Sequence, residues 1–190
     1  MGPANETPTA IHDLRNLLNS WHIPNDTREI RDELVQWASD PEVWRSTFIS
    51  VPCPPQLEAI IEFRDALRTL VTYGESEVMD RLVIEYAPRL RLGRETITIA
   101  PCDPTNAVAV GVGLLVEASV QGTLRRLRAC PDCGWAFYDR SKNNSRVWCA
   151  MEAGPGARGC GSIAKTTRYR KRKQNSVDVG LVPPRPEGTC

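Results

Sequence analysis

The chain has 190 residues, 41% apolar and 6% aromatic, enough for a buried core in one medium domain beside a small one. A net charge of +1 conceals a split: residues 1–123 carry 10 Arg and no Lys against 18 acids, residues 124–173 carry 13 Lys and Arg against 3 acids, and residues 174–190 carry one Arg against two acids. No stretch nears the roughly 18 apolar residues that span a bilayer, no apolar leader opens the chain, and Glu6 stands where a myristoylation motif wants Ser or Thr, so the expectation is a soluble, cytoplasmic protein without a membrane partner.

Leu14, Leu17, Leu18 and Trp21 share one face of a predicted helix, which Pro24-Asn25-Asp26 breaks. Ile30, Leu34, Trp37 and Ala38 predict a second, with Asp26 or Thr27 as N-cap and Asp40-Pro41 as the stop. The VPCPP run from Val51 to Pro55 reads as a rigid connector. Leu57, Ile60, Ile61, Leu67, Leu70 and Val71 mark the clearest amphipathic helix, ended by Gly74, and Val78, Leu82, Val83 and Tyr86 mark another, closed by Pro88. Around Gly93-Arg94-Glu95 the period changes to alternation, which predicts a short β-hairpin over 90–100. Asp103 is expected to cap the next helix and Pro104 to open it. Residues 105–121 are apolar on nearly every face and read as a buried helix, with a buried strand over 107–116 as the alternative. Residues 174–190, with Pro183, Pro184 and Pro186, read as a disordered tail. The N-terminal part has no nucleophile elbow, no glycine-rich phosphate loop and no HExxH, so no enzyme is expected.

Seven cysteines are an odd number for a disulfide framework, and nothing directs the chain to an oxidising compartment. Four cluster between residues 130 and 160, where metal ligation is the stronger reading. In C-P-D-C, Cys130 and Cys133 aim two thiolates at one point, half of a tetrahedral zinc site; Cys149 and Cys160 supply the other half. The rival is a thioredoxin-like redox pair, which wants a helix starting at the first cysteine, whereas Gly134-Trp135-Ala136-Phe137 looks like a knuckle leading into a strand. Four protein ligands leave no open position, so the ion is structural, one Zn2+ per chain. His12 and His22 read as ordinary surface or packing residues. A module of this size is marginal alone. Zinc contributes about 10–16 kcal/mol in small modules, and Trp135, Phe137 and Trp148 are the expected mini-core.

Residues 160–173, CGSIAKTTRYRKRK, predict a basic helix with Ser162 as cap. Lys165, Arg168, Tyr169 and Arg172 fall on one broad face, and Arg170, Lys171 and Lys173 wrap round it, with no acid in the segment. The loop from Arg140 to Arg146 adds Arg140, Lys142 and Arg146. These cations suit the phosphates of double-stranded DNA. The alternatives are a solvated helix, or one docked on an acidic surface, of the chain's own N-terminal part or of another protein.

CPDCGWAF at 130–137, DRSKNNSR at 139–146, Trp148-Cys149-Ala150-Met151, and Cys160-Gly161 with Ala164-Lys165 before a basic helix together resemble the CGNR-type zinc finger. That finger follows an N-terminal domain called ABATE in bacterial proteins described as stress-induced transcription regulators, and residues 1–123 resemble ABATE more loosely. The resemblance implies Cys130, Cys133, Cys149 and Cys160 as zinc ligands and a finger that binds DNA. Ser162 and Ile163 stand where the family has Asn and Arg, and residues 154–159 look like an insertion. The expected organisation is α+β: a mostly helical ABATE-like domain with a β-hairpin over 1–123, a treble-clef-like four-cysteine finger ending in a basic helix over 124–173, and a tail over 174–190. The expected function is zinc-dependent transcription regulation through DNA. The N-terminal domain would sense a small-molecule effector or form a homodimer. The alternative is a zinc-stabilised adaptor whose basic helix binds an acidic protein surface.

Overall fold

The computed structural model describes residues 7–24, 27–154 and 157–178. Helix α1, Thr9–Asn19, buries Ile11, Leu14, Leu17 and Leu18 on one face, as the spacing predicts. It ends two residues short of Trp21. Trp21 and His22 form strand β1, paired antiparallel with β2, Arg31–Asp32, so the tryptophan continues the helical spacing without belonging to the helix. The second predicted helix is correspondingly shorter. Ile30 is exposed, Asp26 lies outside the described residues, and α2 runs only from Leu34 to Ser39 with no side-chain cap. Asp40 and Pro41 do stop it, and also start α3, Pro41–Thr47: the Asp40 carboxylate accepts from the amides of Glu42 and Val43, with proline in the first turn. The spacing gave no sign of α3, whose Trp44 is fully buried and donates through Nε1 to the Val51 carbonyl at 2.8 Å.

Helix α4, Glu58–Tyr73, ends at Gly74 in the left-handed region (φ 87°), and α5, Glu77–Glu85, is capped by Ser76 and closed before Pro88. The predicted hairpin forms as β3, Arg89–Leu92, and β4, Ile97–Ala100, in the register Arg89 to Ala100 and Leu92 to Ile97. Helix α6, Ala107–Val120, is buried on most of its surface, which decides against the strand alternative. Its cap is Asn106, which accepts from the amides of Val108 and Ala109, and not Asp103, whose carboxylate closes a turn on Thr105. Gly111 lets α6 approach α4: a Cβ there would lie 2.6 Å from Cε1 of Phe63, so the ring fills the space a side chain would take.

Two buried polar groups fix the connections between these helices. Asp13, fully buried, accepts from the amides of Ile49, Ser50 and Val51 and so pins the end of α3 to α1. Arg64, also buried, pairs with Asp32 at 2.7 Å and Asp65 at 2.9 Å and reaches Ser20 at 3.3 Å. Beyond α6, a 3-10 turn at Leu124–Arg126 leads into β5, Leu127–Ala129, which pairs antiparallel with β6, Ala136–Tyr138. Leu127 and Ala136 join the same apolar core as α1, α4 and α6, whereas Trp135 is 42% exposed; the expected tryptophan-centred mini-core is replaced by a shared one.

The chain divides into two compact units, one through Cys149 and the other from Ala150. The second unit holds β7, Ala153–Gly154, paired with β8, Ala157–Arg158, and then α7, Cys160–Asp178. Amides of Gly161 and Ser162 donate to the carbonyls of Ala150 and Met151 and anchor the first turn of α7. Ser162 lies inside that turn, its hydroxyl donating to the Gly159 carbonyl, so it is not the N-cap. From Lys165 to Gln174 every residue of α7 is exposed. The helix runs on through Asp178, five residues into the segment expected to be a disordered tail; residues 179–190 lie outside the described residues. The architecture is α+β, helices with small antiparallel hairpins and a cysteine cluster in the C-terminal third. Among the described residues no helix is long and apolar enough to cross a membrane.

Candidate metal centre

The β5–β6 hairpin carries the CPDC knuckle at its tip. The Cys130 amide donates to the Trp135 carbonyl and the Gly134 amide returns to the Cys130 carbonyl, both at 2.9 Å, closing a turn around the two cysteines. Gly134 has φ 70°, and a Cβ there would sit 2.6 Å from Cζ3 of Trp21, so conformation and packing both require glycine. Cys130 and Cys133 are buried at the tip.

The N-terminal helices hold this knuckle from several sides. Ile23 donates its amide to the Cys133 carbonyl at 2.9 Å. Arg28 donates to the Asp132 carbonyl at 3.1 Å and to its carboxylate at 3.3 Å. The Arg68 guanidinium stacks on Trp21, 4.5 Å from the ring centroid, and donates to the carbonyls of Gly134, Trp21 and Leu18. Burial, reinforced by the neighbouring Arg64 charge, pulls Arg68 down to about 10. Asn19 completes the set: its Nδ2 donates to the Ala136 carbonyl at 3.1 Å and its Oδ1 accepts from the Ala136 amide at 2.6 Å. In this register the polar groups of Ala136 point away from β5, so Asn19 satisfies the open edge of β6.

Cys149 follows a loop organised by Asp139, which is fully buried. Its carboxylate accepts from the amides of Ser141 and Arg146, each at 2.8 Å, and faces Arg128 at 3.8 Å. Burial alone would raise this carboxyl; the hydrogen bonds from Ser141 and Arg146 and the Arg128 charge win and hold it below the usual carboxylate value. Arg146 lies over the Phe137 ring at 4.8 Å and donates to the carbonyls of Trp148 and Cys149, which fixes the backbone bearing the third thiol.

The sulfurs of Cys130, Cys133, Cys149 and Cys160 all lie within 4.8 Å of one another, with Cys133 and Cys149 at 3.5 Å. Four thiolates about 2.3 Å from a zinc ion form a tetrahedron with edges of about 3.8 Å, so the spacing fits one structural zinc. Among these thiols, hydrogen bonds from Cys133 and Cys149 hold Cys130 well below the ordinary thiol value, while that sharing pushes Cys149 well above it. An ion in place of the shared protons stabilises four thiolates at once. His12 and His22 are not in the cluster: His12 contacts Asp13, and His22 bonds the Asn19 carbonyl and packs edge-on against Trp135.

The basic residues read from the sequence fall into two groups. In the 139–146 loop, Arg146 is committed to the backbone around Cys149 and Arg140 donates to the Thr7 hydroxyl at 2.9 Å, while Lys142 has no acidic partner among the described residues. On α7, Lys165, Arg168, Arg170, Lys171 and Arg172 are exposed and make no ion pair among the described residues. Asn19, Arg68 and Asp139 are the structural residues that sequence reasoning missed; their partners are backbone groups, which leave no pattern in side-chain identity.

The family model of the CGNR zinc finger matches residues 126–173, which span the knuckle, the Asp139 loop, all four cysteines and the start of α7 through Lys173. No curated protein matches the chain.

Proposed function

We propose that this chain is a zinc-dependent DNA-binding transcription regulator in which α7, with the 139–146 loop, contacts duplex DNA. The observation that carries the proposal is the row Lys165, Arg168, Arg170, Lys171 and Arg172, exposed on a helix that begins at the fourth cysteine and has no acid before Asp178. A structural ion that fixes the first turn gives such a helix a defined base, and its cations release counterions when they meet phosphates. In this reading the first 123 residues are an ABATE-like domain that senses a small-molecule effector or forms a homodimer. The ion is closed off by four thiolates, so the protein has no catalytic role, and it works in the reducing cytoplasm, where such thiolates persist.

Fluorescence anisotropy on a random-sequence duplex tests this. Five phosphate contacts predict a log–log salt slope of about −4 to −5, and each change of Lys165, Arg168 or Arg172 to Ala reduces it by about 1. No duplex binding by zinc-loaded protein at about 50 mM salt refutes it. One observation favours a second reading. Ser162 and the partly exposed Ile163 replace the Asn and Arg of the family motif, which removes polar readers and leaves an apolar contact suited to a protein. On that reading α7 docks on an acidic protein surface, and duplex binding is absent.

A further inference from the structure

The structure assigns a second, organic-anion site to the first compact unit: a cleft of about 630 Å³ between α1 and β6 that takes a small aromatic carboxylate. Arg15, Arg140 and Arg146 line it, with Trp37, Trp135 and Tyr138 supplying ring faces, and no aspartate or glutamate among the described residues lines it. Its size lies within the range of small-molecule sites, and its lining is strongly polar, with threonines and asparagines beside the arginines and the rings.

Charge is the deciding feature. Arg15, Arg140 and Arg146 form no salt bridge among the described residues, and Arg15 is depressed first by burial and then by the like charge of Arg140. Two guanidinium groups that disfavour each other across a partly desolvated cleft are relieved by one anion between them, and a planar carboxylate matches the guanidinium fork. The ring faces distinguish the ligand from a bare anion. Trp135 keeps 42% of its surface open despite its edge contact with His22, so an aryl group has a face to cover. Cys149 also lines the cleft, and Arg146 grips the Cys149 carbonyl, so a ligand here lies against the segment that carries the third thiolate. The inference deepens the sensing role proposed for this unit and rests on it. Duplex binding is measured separately, so either can fail without the other.

The test uses zinc-loaded full-length protein without DNA, titrated with benzoate and salicylate, with benzamide as the neutral isostere and inorganic phosphate as the anion without a ring. Binding is read by calorimetry and by tryptophan quenching. Expected are saturable binding of the two carboxylates, little or none of benzamide or phosphate, and affinity about tenfold weaker in Arg15→Gln and again in Arg140→Gln. Arg146 is left intact because it braces Cys149. Unchanged zinc content and circular dichroism in both variants exclude a folding effect. The inference fails if neither carboxylate binds at about 5 mM, if benzamide or phosphate binds as well as benzoate, or if the arginine variants bind as wild type does.

Discussion

Asn19→Leu should be strongly damaging although it touches neither a cysteine nor a charge. Leucine has a similar volume but satisfies neither the amide nor the carbonyl of Ala136, which Asn19 contacts at 2.6 and 3.1 Å in a buried setting. Each orphaned buried group costs about 1–3 kcal/mol, so the two together amount to about 2–6 kcal/mol, a large share of the roughly 5–15 kcal/mol that stabilises a domain. For a folded body of this size that is a fall in Tm of about 10 °C. Urea unfolding in zinc-saturated buffer, followed by tryptophan fluorescence and far-UV circular dichroism, gives the free energy. A chromogenic chelator gives the rate of zinc release, which should rise because β6 carries the knuckle. Gln121→Ala, a change on the exposed end of α6, serves as the control and should stay within about 0.5 kcal/mol. If Asn19→Leu also stays within that margin and releases zinc at the wild-type rate, the edge of β6 is not sealed by Asn19 and the reasoning is wrong.

Other changes follow from the same contacts. Gly111→Val should destabilise by about 1–3 kcal/mol, because its Cβ would meet Phe63 at 2.6 Å; Phe63→Leu in the same chain should recover part of the loss, and a double-mutant cycle with zero coupling would refute the contact. Chelation of zinc should spare α1 to α6, whose core of Ile11, Leu14, Phe63, Leu67 and Val112 owes nothing to the ion, but melt α7, whose residues from Lys165 to Gln174 are exposed. Hydrogen exchange should show loss of protection confined to residues 160–178 and the knuckle, and global unfolding would contradict this. Asp139→Asn should lower stability at neutral pH. The Asp139 carboxyl is depressed in the fold, so its contribution is complete above its unfolded value near 4 and fades as pH falls through the lower folded value. The gap between wild type and Asp139→Asn in urea unfolding should therefore close in acid, and a gap constant from pH 7 to pH 3 would exclude the assignment.

Much of the fold is readable because it depends on local chemistry. The apolar spacing of Leu57 to Val71, the alternation around Gly93 and the unbroken apolar run of 107–116 each fix an element without help from distant residues. Cys130 and Cys133 declare themselves by their separation. The rest depends on partners far along the chain. Trp21 matches the helical period of Leu14, Leu17 and Leu18, but its backbone pairs with Asp32 and its ring packs between Gly134 and Arg68, neither of which can be inferred from position 21. Asp13 and Asp139 look like solvated acids in a charged sequence, yet both are buried to gather backbone amides. Ser76 is a cap three residues before the amide it binds, a local rule, whereas Asn19 caps a strand edge 117 residues away.

The sharing of one apolar core by the helices and the β5–β6 hairpin bears on how this protein can be dissected or borrowed from. A fragment starting at residue 124 would bare Leu127 and Ala136 to water and strip the edge of β6 of its amide seal, so it should aggregate or stay loose even with metal present. Grafting the knuckle into another scaffold would need α1 and α4 to travel with it, together with Arg68 and Asn19. What looks from its cysteines like a portable part is built into its neighbours, and deletion mapping that cuts at the apparent seam would read a folding defect as a loss of activity.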